Sequence, residues 1–212
     1  MRHTIVAALA VLCFVCGPAS AQTTAPSERA VLFEEDNTPT GSRFDGTTTW
    51  SVETVSPGRG EPPERMVRAV VTIPDRQMTV SWTLRHNTDA ALPASHVIEI
   101  MFKEPGNGLG GEFTQVPGML MKPEEMSHGT PLAGTAVKVV TNYFLFGLSA
   151  VAAERERNVE LLENLDWIDI PIVRTAGNRL ILAVQKGVSG GRAFDAAFAA
   201  WNDATPMETS PK

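Results

Sequence analysis

The 212-residue sequence contains only two cysteines, Cys13 and Cys16, and both lie in an apolar run near the N-terminus. If that run is removed as a leader, residues 22–212 have no disulfide, no thiol nucleophile and no thiolate for a metal site. An oxidising compartment permits disulfides without requiring them. A chain of this length can bury a sizeable core without such cross-links.

Positive charge is also scarce. The chain has 18 Lys and Arg against 24 Asp and Glu, a formal net charge of −6, and the basic residues are scattered singly. Polyanion binding needs clustered positive charge, so we expect no nucleic-acid partner.

Long apolar runs are missing after the N-terminus. The best candidate, residues 139–151, is interrupted by Thr141, Asn142 and Gly147. The sequence therefore predicts no stable membrane span once the leader has been cleaved.

The N-terminus has the pattern of a signal peptide. Arg2 precedes an apolar run over residues 5–15, Pro18 breaks this run, and small residues lead up to Ala21. We expect residues 1–21 to be a cleaved signal peptide and the protein to be periplasmic or secreted. An uncleaved N-terminal anchor is the alternative.

The remaining chain is predicted to form one domain. Residues 22–29 are expected to be a flexible leader, residues 30–202 a single globular β-rich domain, and residues 203–212 a disordered tail. Residues 47–55 alternate between apolar and polar side chains, and residues 66–73 and 78–87 read as a hairpin around a turn at 74–77.

The final third, residues 129–201, carries most of the strong hydrophobic signal. We interpret residues 134–150 as one long strand, followed by a helix at 151–165, two strands and a last helix with Phe194, Phe198 and Trp201 on one face. The predicted fold class is α+β, mainly β: an antiparallel sheet or β-sandwich with two helices packed on it.

A glycine-rich segment, residues 106–111, matches the G-x-G-x-x-G pattern of dinucleotide-binding loops. That pattern requires a helix directly after it, so that backbone N–H groups meet the pyrophosphate. Strand-like residues and Pro117 follow instead. The segment is better interpreted as a loop between strands, and we expect no cofactor.

Residues 187–191 match the G-x-S-x-G pattern of a nucleophile elbow around Ser189. No histidine follows Ser189, which excludes the residue order of α/β-hydrolases. A serine hydrolase using Ser189 with His96 and Asp169 (or Asp166) remains an alternative. The simpler expectation is that Ser189 caps the last helix by accepting a hydrogen bond from its backbone.

Three histidines, His86, His96 and His128, suggest a metal site together with nearby glutamates, but their spacings match no zinc signature. We therefore predict no metal site and no catalytic residues. A carboxylate pair for glycoside chemistry stays open, because separation in space cannot be read from the sequence.

Several segments resemble a family of uncharacterised secreted proteins of Gram-negative bacteria. They are SHVIEIMF (95–102), VPGMLMK (116–122), GTPLAG (129–134), FLFGLSA (144–150), DIPIV (169–173) and RAFDAAFAAW (192–201). The resemblance carries no catalytic residues over.

The order of features is similar to that of the invasion-associated locus B family of periplasmic proteins. The shared order is a VPGMLMK-like segment, a strand, a leucine-rich helix, paired strands and a terminal helix. The positions that carry it are Leu161, Leu162, Val184, Gly187, Phe194 and Ala197. That family usually has cysteines, which residues 22–212 lack. The resemblance implies a mainly-β fold and a role in the cell envelope.

We therefore expect a periplasmic or secreted cell-envelope protein with a non-enzymatic binding or structural role. Its partner is expected to be an envelope protein or a small ligand. The alternatives are the serine hydrolase described above and a small-ligand carrier with a pocket between the sheet and the helices.

Overall fold

The computed structural model describes residues 26–36, 38, 41–56, 63–104, 111–175 and 177–204. The predicted signal peptide and the last eight residues lie outside this part of the chain. The strands are β1 (Ser27–Glu34), β2 (Ser42–Val55), β3 (Glu64–Ile73), β4 (Met78–His86), β5 (Ala94–Lys103), β6 (Phe113–Gln115), β7 (Leu120–Lys122), β8 (Thr130–Pro131), β9 (Gly134–Val140), β10 (Tyr143–Ser149), β11 (Trp167–Arg174) and β12 (Arg179–Gln185). The helices are α1 (Ala152–Asn164) and α2 (Gly187–Ala204).

All twelve strands form one antiparallel sheet in the order β8-β7-β11-β12-β1-β2-β3-β4-β5-β10-β9, with β6 pairing with β11 beside β7. The two ends of this order, β8 and β9, are separated along the chain by only Leu132 and Ala133. The sheet must therefore curl until its ends meet, as a half-barrel. The predicted α+β, mainly-β class is confirmed, and the antiparallel sheet rather than the sandwich is the correct form.

The concave face of the sheet encloses the core. Strands β3, β4, β5 and β10 alternate between buried and more exposed residues, which places one face of each strand inside the curl. Helix α2 closes this interior: the Phe194 ring centroid lies 5.5 Å from that of Trp50 and 6.0 Å from that of Trp82. The predicted apolar stripe of the last helix is confirmed, since Phe194, Phe198 and Trp201 are all buried.

The expected long strand over residues 134–150 is wrong. The segment is a hairpin of β9 and β10 that reverses at Thr141 and Asn142. Asn142 adopts a left-handed backbone (φ 61°), which asparagine tolerates better than most residues. Its carbonyl oxygen also accepts a hydrogen bond of 2.9 Å from the Phe102 N–H, which holds the turn against β5.

The predicted flexible leader at 22–29 is also partly wrong, because β1 begins at Ser27 rather than at residue 30. Ser27, Glu28 and Arg29 pair in register with residues 47–49 of β2. The backbone pairing of β2 thus extends the first strand beyond its apolar residues. The predicted hairpin over 66–87 is confirmed, and Gln77 closes its turn with φ 49°.

Helix α1 packs near the end of β10, with the side chain of Leu162 buried. The Asn158 amide joins the helix to the segment between β8 and β9. Its Oδ1 accepts from the Ala133 N–H, and its Nδ2 donates to the Ala133 carbonyl, both at 2.8 Å. One buried side chain therefore ties α1 to the place where the two ends of the sheet meet.

Candidate functional site

Ser189 lies in the first turn of α2 and faces a carboxylate. Its N–H and its hydroxyl donate to Glu28 Oε1 at 3.0 and 2.8 Å. The expectation that Ser189 itself caps the helix by accepting a hydrogen bond is wrong. The helix begins two residues earlier, at Gly187, and the negative charges that stabilise its N-terminus are Glu28 of β1 and Asp166.

The structure does not bring the three residues of the hydrolase alternative together. His96 lies against the rings of Phe198 and Trp201, and Phe198 is nine residues after Ser189 in α2, a rise of about 14 Å along the helix. Asp169 lies on the outer face of the sheet, where its Oδ2 is 2.8 Å from Lys122 Nζ. Asp166 accepts from the Gly187 N–H (2.8 Å) and from the Gln185 side chain (3.0 Å).

Most of the glycine-rich segment, residues 106–110, lies outside the described residues. The chain that follows it forms strand β6 and no helix. Gly111, its last residue, has φ 74°, and its carbonyl accepts from Arg174 at 3.1 Å. The interpretation as a loop between strands fits these neighbours.

Among the described residues, no group of three or more His, Cys, Asp and Glu side chains could hold a metal ion. Two of the three histidines nevertheless meet. His86 and His96 pair across β4 and β5 with their ring centroids 5.3 Å apart. His128 is exposed on the loop after β7. The sequence singles out these histidines but not which two of them meet, because that depends on the register of two strands.

The histidine pair lines a cavity of about 450 Å³ between α1, α2 and the ends of β4 and β5. Phe198 and Trp201 contribute its aromatic wall, and α1 contributes most of its charged rim: Arg155, Glu156, Glu160 and Glu163. Burial lowers the pKa of His96 to about 4, and the neighbouring His86 and Arg155 act in the same direction. Burial, together with Arg155, also lowers the pKa of His86.

The second feature is the seam, the gap between β6 and β9 where the curled sheet fails to close. Within the described residues, β9 pairs only with β10, and no backbone hydrogen bond joins it to β6. The seam is bounded at one end by the Phe113 N–H, which donates to Asn142 Oδ1 at 3.2 Å. At the other end, the Leu132 N–H donates to the Met119 carbonyl at 2.9 Å.

Cavities flank β9 on both of its faces. The outer cavity, about 660 Å³, is lined by Thr135 and Val137 of β9 together with Leu92, Val97 and Leu145. The seam cavity, about 350 Å³, is lined by Gly134, Ala136 and Lys138 of β9 together with residues 114–117 and Phe144. Val137 thus lines only the outer cavity and Ala136 and Lys138 only the seam cavity, whereas Gly134 and Thr135 line both.

The edge strand is also apolar and exposed. Val137, Val139 and Val140 are 58%, 47% and 60% exposed, and Met101 of β5 is 52% exposed. An exposed apolar edge strand is a site of association unless something covers it. The outer face of this half of the sheet therefore has the properties of a docking surface.

The other half of the outer face is covered by the chain itself. Glu125, on the loop after β7, reaches Arg29 of β1 at 2.7 Å and Arg43 of β2 at 3.1 Å. This loop lies near a small second cluster formed by Val31, Trp167 and Ala183 with Phe33 packed against it. Of the two halves of the outer face, the half around β9 is therefore the one that the loop after β7 leaves uncovered.

The chain matches no protein-family model, no curated protein and no solved structure. None of the helices in the described part of the chain is long and apolar enough to cross a membrane.

Proposed function

We propose that this protein is a non-enzymatic binding domain of the cell envelope, periplasmic or secreted, that takes up an extended segment of a partner protein as an added strand along β9. One observation carries the proposal: within the described residues the apolar strand β9 is hydrogen-bonded to β10 on one side only, with β6 across the seam on the other. Its Val137 lines the outer cavity, and its Ala136 and Lys138 line the seam cavity. The N-terminal signal-peptide pattern supports the compartment.

Strand addition draws its affinity from main-chain hydrogen bonds and its specificity from pockets that take alternate side chains. Successive side chains of an added strand point to opposite faces of the sheet. One set would therefore enter the outer cavity beside Val137, and the other set would enter the seam cavity beside Ala136. Seven residues of β9 offer an edge long enough to fix a register.

The lining of the two cavities defines the partner segment. The outer cavity presents Val97, Val137 and Leu145, which favour apolar side chains, and Glu154 is its charged residue. In the seam cavity Lys138 is the charged residue, and its Nζ lies 3.7 Å from Glu112 Oε2. That ion pair is solvent-exposed and hence weak, so an acidic side chain of the partner could replace Glu112. We expect a segment that alternates apolar residues with polar residues, one of them acidic.

The test begins with photo-cross-linking in the cells that make the protein. A photo-reactive amino acid replaces Thr135 in one variant, and Val188 in a second variant that serves as the control. The cross-linked partner peptide is then synthesised, and its affinity is measured by fluorescence anisotropy. Val137→Lys should weaken binding at least tenfold, because it places a charge in the apolar outer cavity. Val188→Lys, at a 68%-exposed valine on α2, should not change it.

Amide hydrogen exchange supplies the second readout. An added strand should protect every second amide within residues 134–140, because those N–H groups point away from β10 toward the seam. Protection elsewhere with unchanged exchange in β9, or full affinity in Val137→Lys, would refute strand addition.

The hydrolase alternative receives no support from the geometry, because Ser189, His96 and Asp169 lie in different parts of the fold. Fluorophosphonate labelling that disappears in Ser189→Ala would reverse this view and contradict a binding-only role.

A further inference from the structure

His86 and His96 lie opposite each other where β4 ends and β5 begins. Asn87 and Ser95, the next pair along, share a backbone hydrogen bond of 3.0 Å. His86 and His96 therefore form a non-hydrogen-bonded pair, the arrangement in which opposite side chains approach most closely. Both side chains line the cavity between the two helices.

The contacts around His96 show which ring nitrogen is engaged. Ser95 Oγ lies 3.1 Å from His96 Nδ1 and 3.4 Å from the Leu148 carbonyl oxygen. In either tautomer Nδ1 is engaged by the serine, which leaves Nε2 as the ring nitrogen available to a ligand.

His96 is only 6% exposed, but Nε2 is not one of the fully buried atoms that lack a partner, and its side chain lines the cavity. The serine contact also has the form of the outer hydrogen bond that orients metal-binding imidazoles.

The geometry points to a binding site for a late divalent transition-metal ion, with His86 and His96 as its two protein ligands. With metal–nitrogen bonds of about 2.1 Å, two imidazoles on a tetrahedral ion have ring centroids about 5 Å apart. The observed separation is 5.3 Å. The two rings are therefore already spaced for one shared ion.

The cavity supplies the rest of the coordination. No third His, Cys, Asp or Glu joins the pair in the described part of the chain, so water fills the remaining positions. The rim carries three glutamates, Glu156, Glu160 and Glu163, and one arginine, Arg155, which lies close enough to act on both imidazoles. Imidazole ligands suit Cu²⁺, Ni²⁺ and Zn²⁺, and Cu²⁺ should bind most tightly.

The experiment titrates the chain after removal of residues 1–21, free of any added histidine tag, with Cu²⁺ and Zn²⁺ by isothermal calorimetry, because an N-terminal amine followed by His3 would itself bind Cu²⁺. We expect one ion per chain, with Cu²⁺ bound more tightly than Zn²⁺. His86→Gln should weaken Cu²⁺ binding at least tenfold, because a half-buried ligand is lost while the fold is retained. The matched control His128→Gln, at the exposed histidine outside the cavity, should bind as the wild type does.

Electron paramagnetic resonance of the Cu²⁺ complex provides a signature that stability changes cannot imitate. Hyperfine splitting from two imidazole nitrogens is expected in the wild type and from one in His86→Gln. The absence of stoichiometric binding, equal affinity in His86→Gln, or loss of binding in His128→Gln would each overturn the site. Partner binding at β9 is independent of these outcomes.

Discussion

The Lys186 ammonium donates a hydrogen bond of 2.9 Å to the main-chain oxygen of Leu165, the residue that follows helix α1. It also donates to the carbonyls of Leu162 and Glu163. Lys186 follows strand β12 and is 2% exposed, so a buried cation from outside the helix satisfies the last carbonyls of α1. Its charge also complements the negative end of the helix dipole.

Lys186→Met should therefore lower the free energy of unfolding. The substitution keeps the aliphatic volume but leaves three carbonyls without their donor, and hydrogen bonds from a charged group contribute about 1.5–3 kcal/mol each. Methionine also removes the desolvation cost of the buried ammonium, which offsets part of this destabilisation. We therefore expect a net loss of about 2–4 kcal/mol. Urea denaturation measures it, with Lys103→Met at an exposed lysine as the control. An unchanged midpoint would show that the cap is dispensable.

The same lysine should make stability depend on alkaline pH. Burial lowers the pKa of Lys186 to about 8, below its ordinary value of 10.5. Between these values the unfolded chain holds a proton that the folded protein has lost, so a rise in pH favours the folded state. From pH 7 to pH 9.5 we expect a gain of about 2 kcal/mol relative to Lys186→Met. If the free energy of unfolding changed with pH in the same way in the wild type and in Lys186→Met, the lowered pKa of Lys186 would be refuted.

Arg174 and Glu104 form a buried pair. The Arg174 guanidinium donates to both Glu104 oxygens, at 3.0 and 2.6 Å, and the two side chains are only 4% and 8% exposed. Arg174→Met should cost about 3–5 kcal/mol, because it leaves a buried carboxylate without its partner. Thermal and urea melts of Arg174→Met measure the cost.

A double variant and an exposed pair serve as controls for that prediction. Arg174→Met with Glu104→Gln should be less destabilised than Arg174→Met alone, since no buried charge remains. Arg68→Met, which breaks an exposed pair with Glu53 at 3.6 Å, should cost less than about 1 kcal/mol. Equal losses in the buried and exposed pairs would contradict the role of burial.

Trp201 anchors the C-terminal half of α2. Its ring is 6% exposed, and its indole N–H donates to the Arg65 carbonyl at 2.9 Å. Trp201→Ala should destabilise the protein by about 3–5 kcal/mol through the cavity that it leaves. Trp201→Phe should cost less, because it keeps an aromatic ring in place, although it loses the hydrogen bond to the Arg65 carbonyl. A thermal melt unchanged in Trp201→Ala would show that the helix is peripheral.

Several parts of the fold could be predicted from local patterns. Alternation and helical spacing identify buried faces directly, so the 66–87 hairpin and the stripe of Phe194, Phe198 and Trp201 were correct. The 134–150 segment failed because its apolar residues continue through a two-residue reversal. Thr141 and Asn142 were visible as an interruption, and the asparagine was the available turn signal.

The candidate sites could not be predicted in the same way. The seam exists because twelve strands curl until β6 and β9 face each other, and no local pattern encodes that closure. The contact of Ser189 with Glu28 joins residues 161 positions apart and replaced the local cap that the sequence suggested.

The sequence by itself determined the leader pattern, the acidic charge balance, the lack of cysteine after that leader, and the β-rich class. These follow from composition and from periodicities within single elements. Tertiary structure alone decided that His86 and His96 meet in one cavity and that β9 stays open. The physical reason is that both depend on strand register and sheet curvature, which arise from the packing of the whole core around α2.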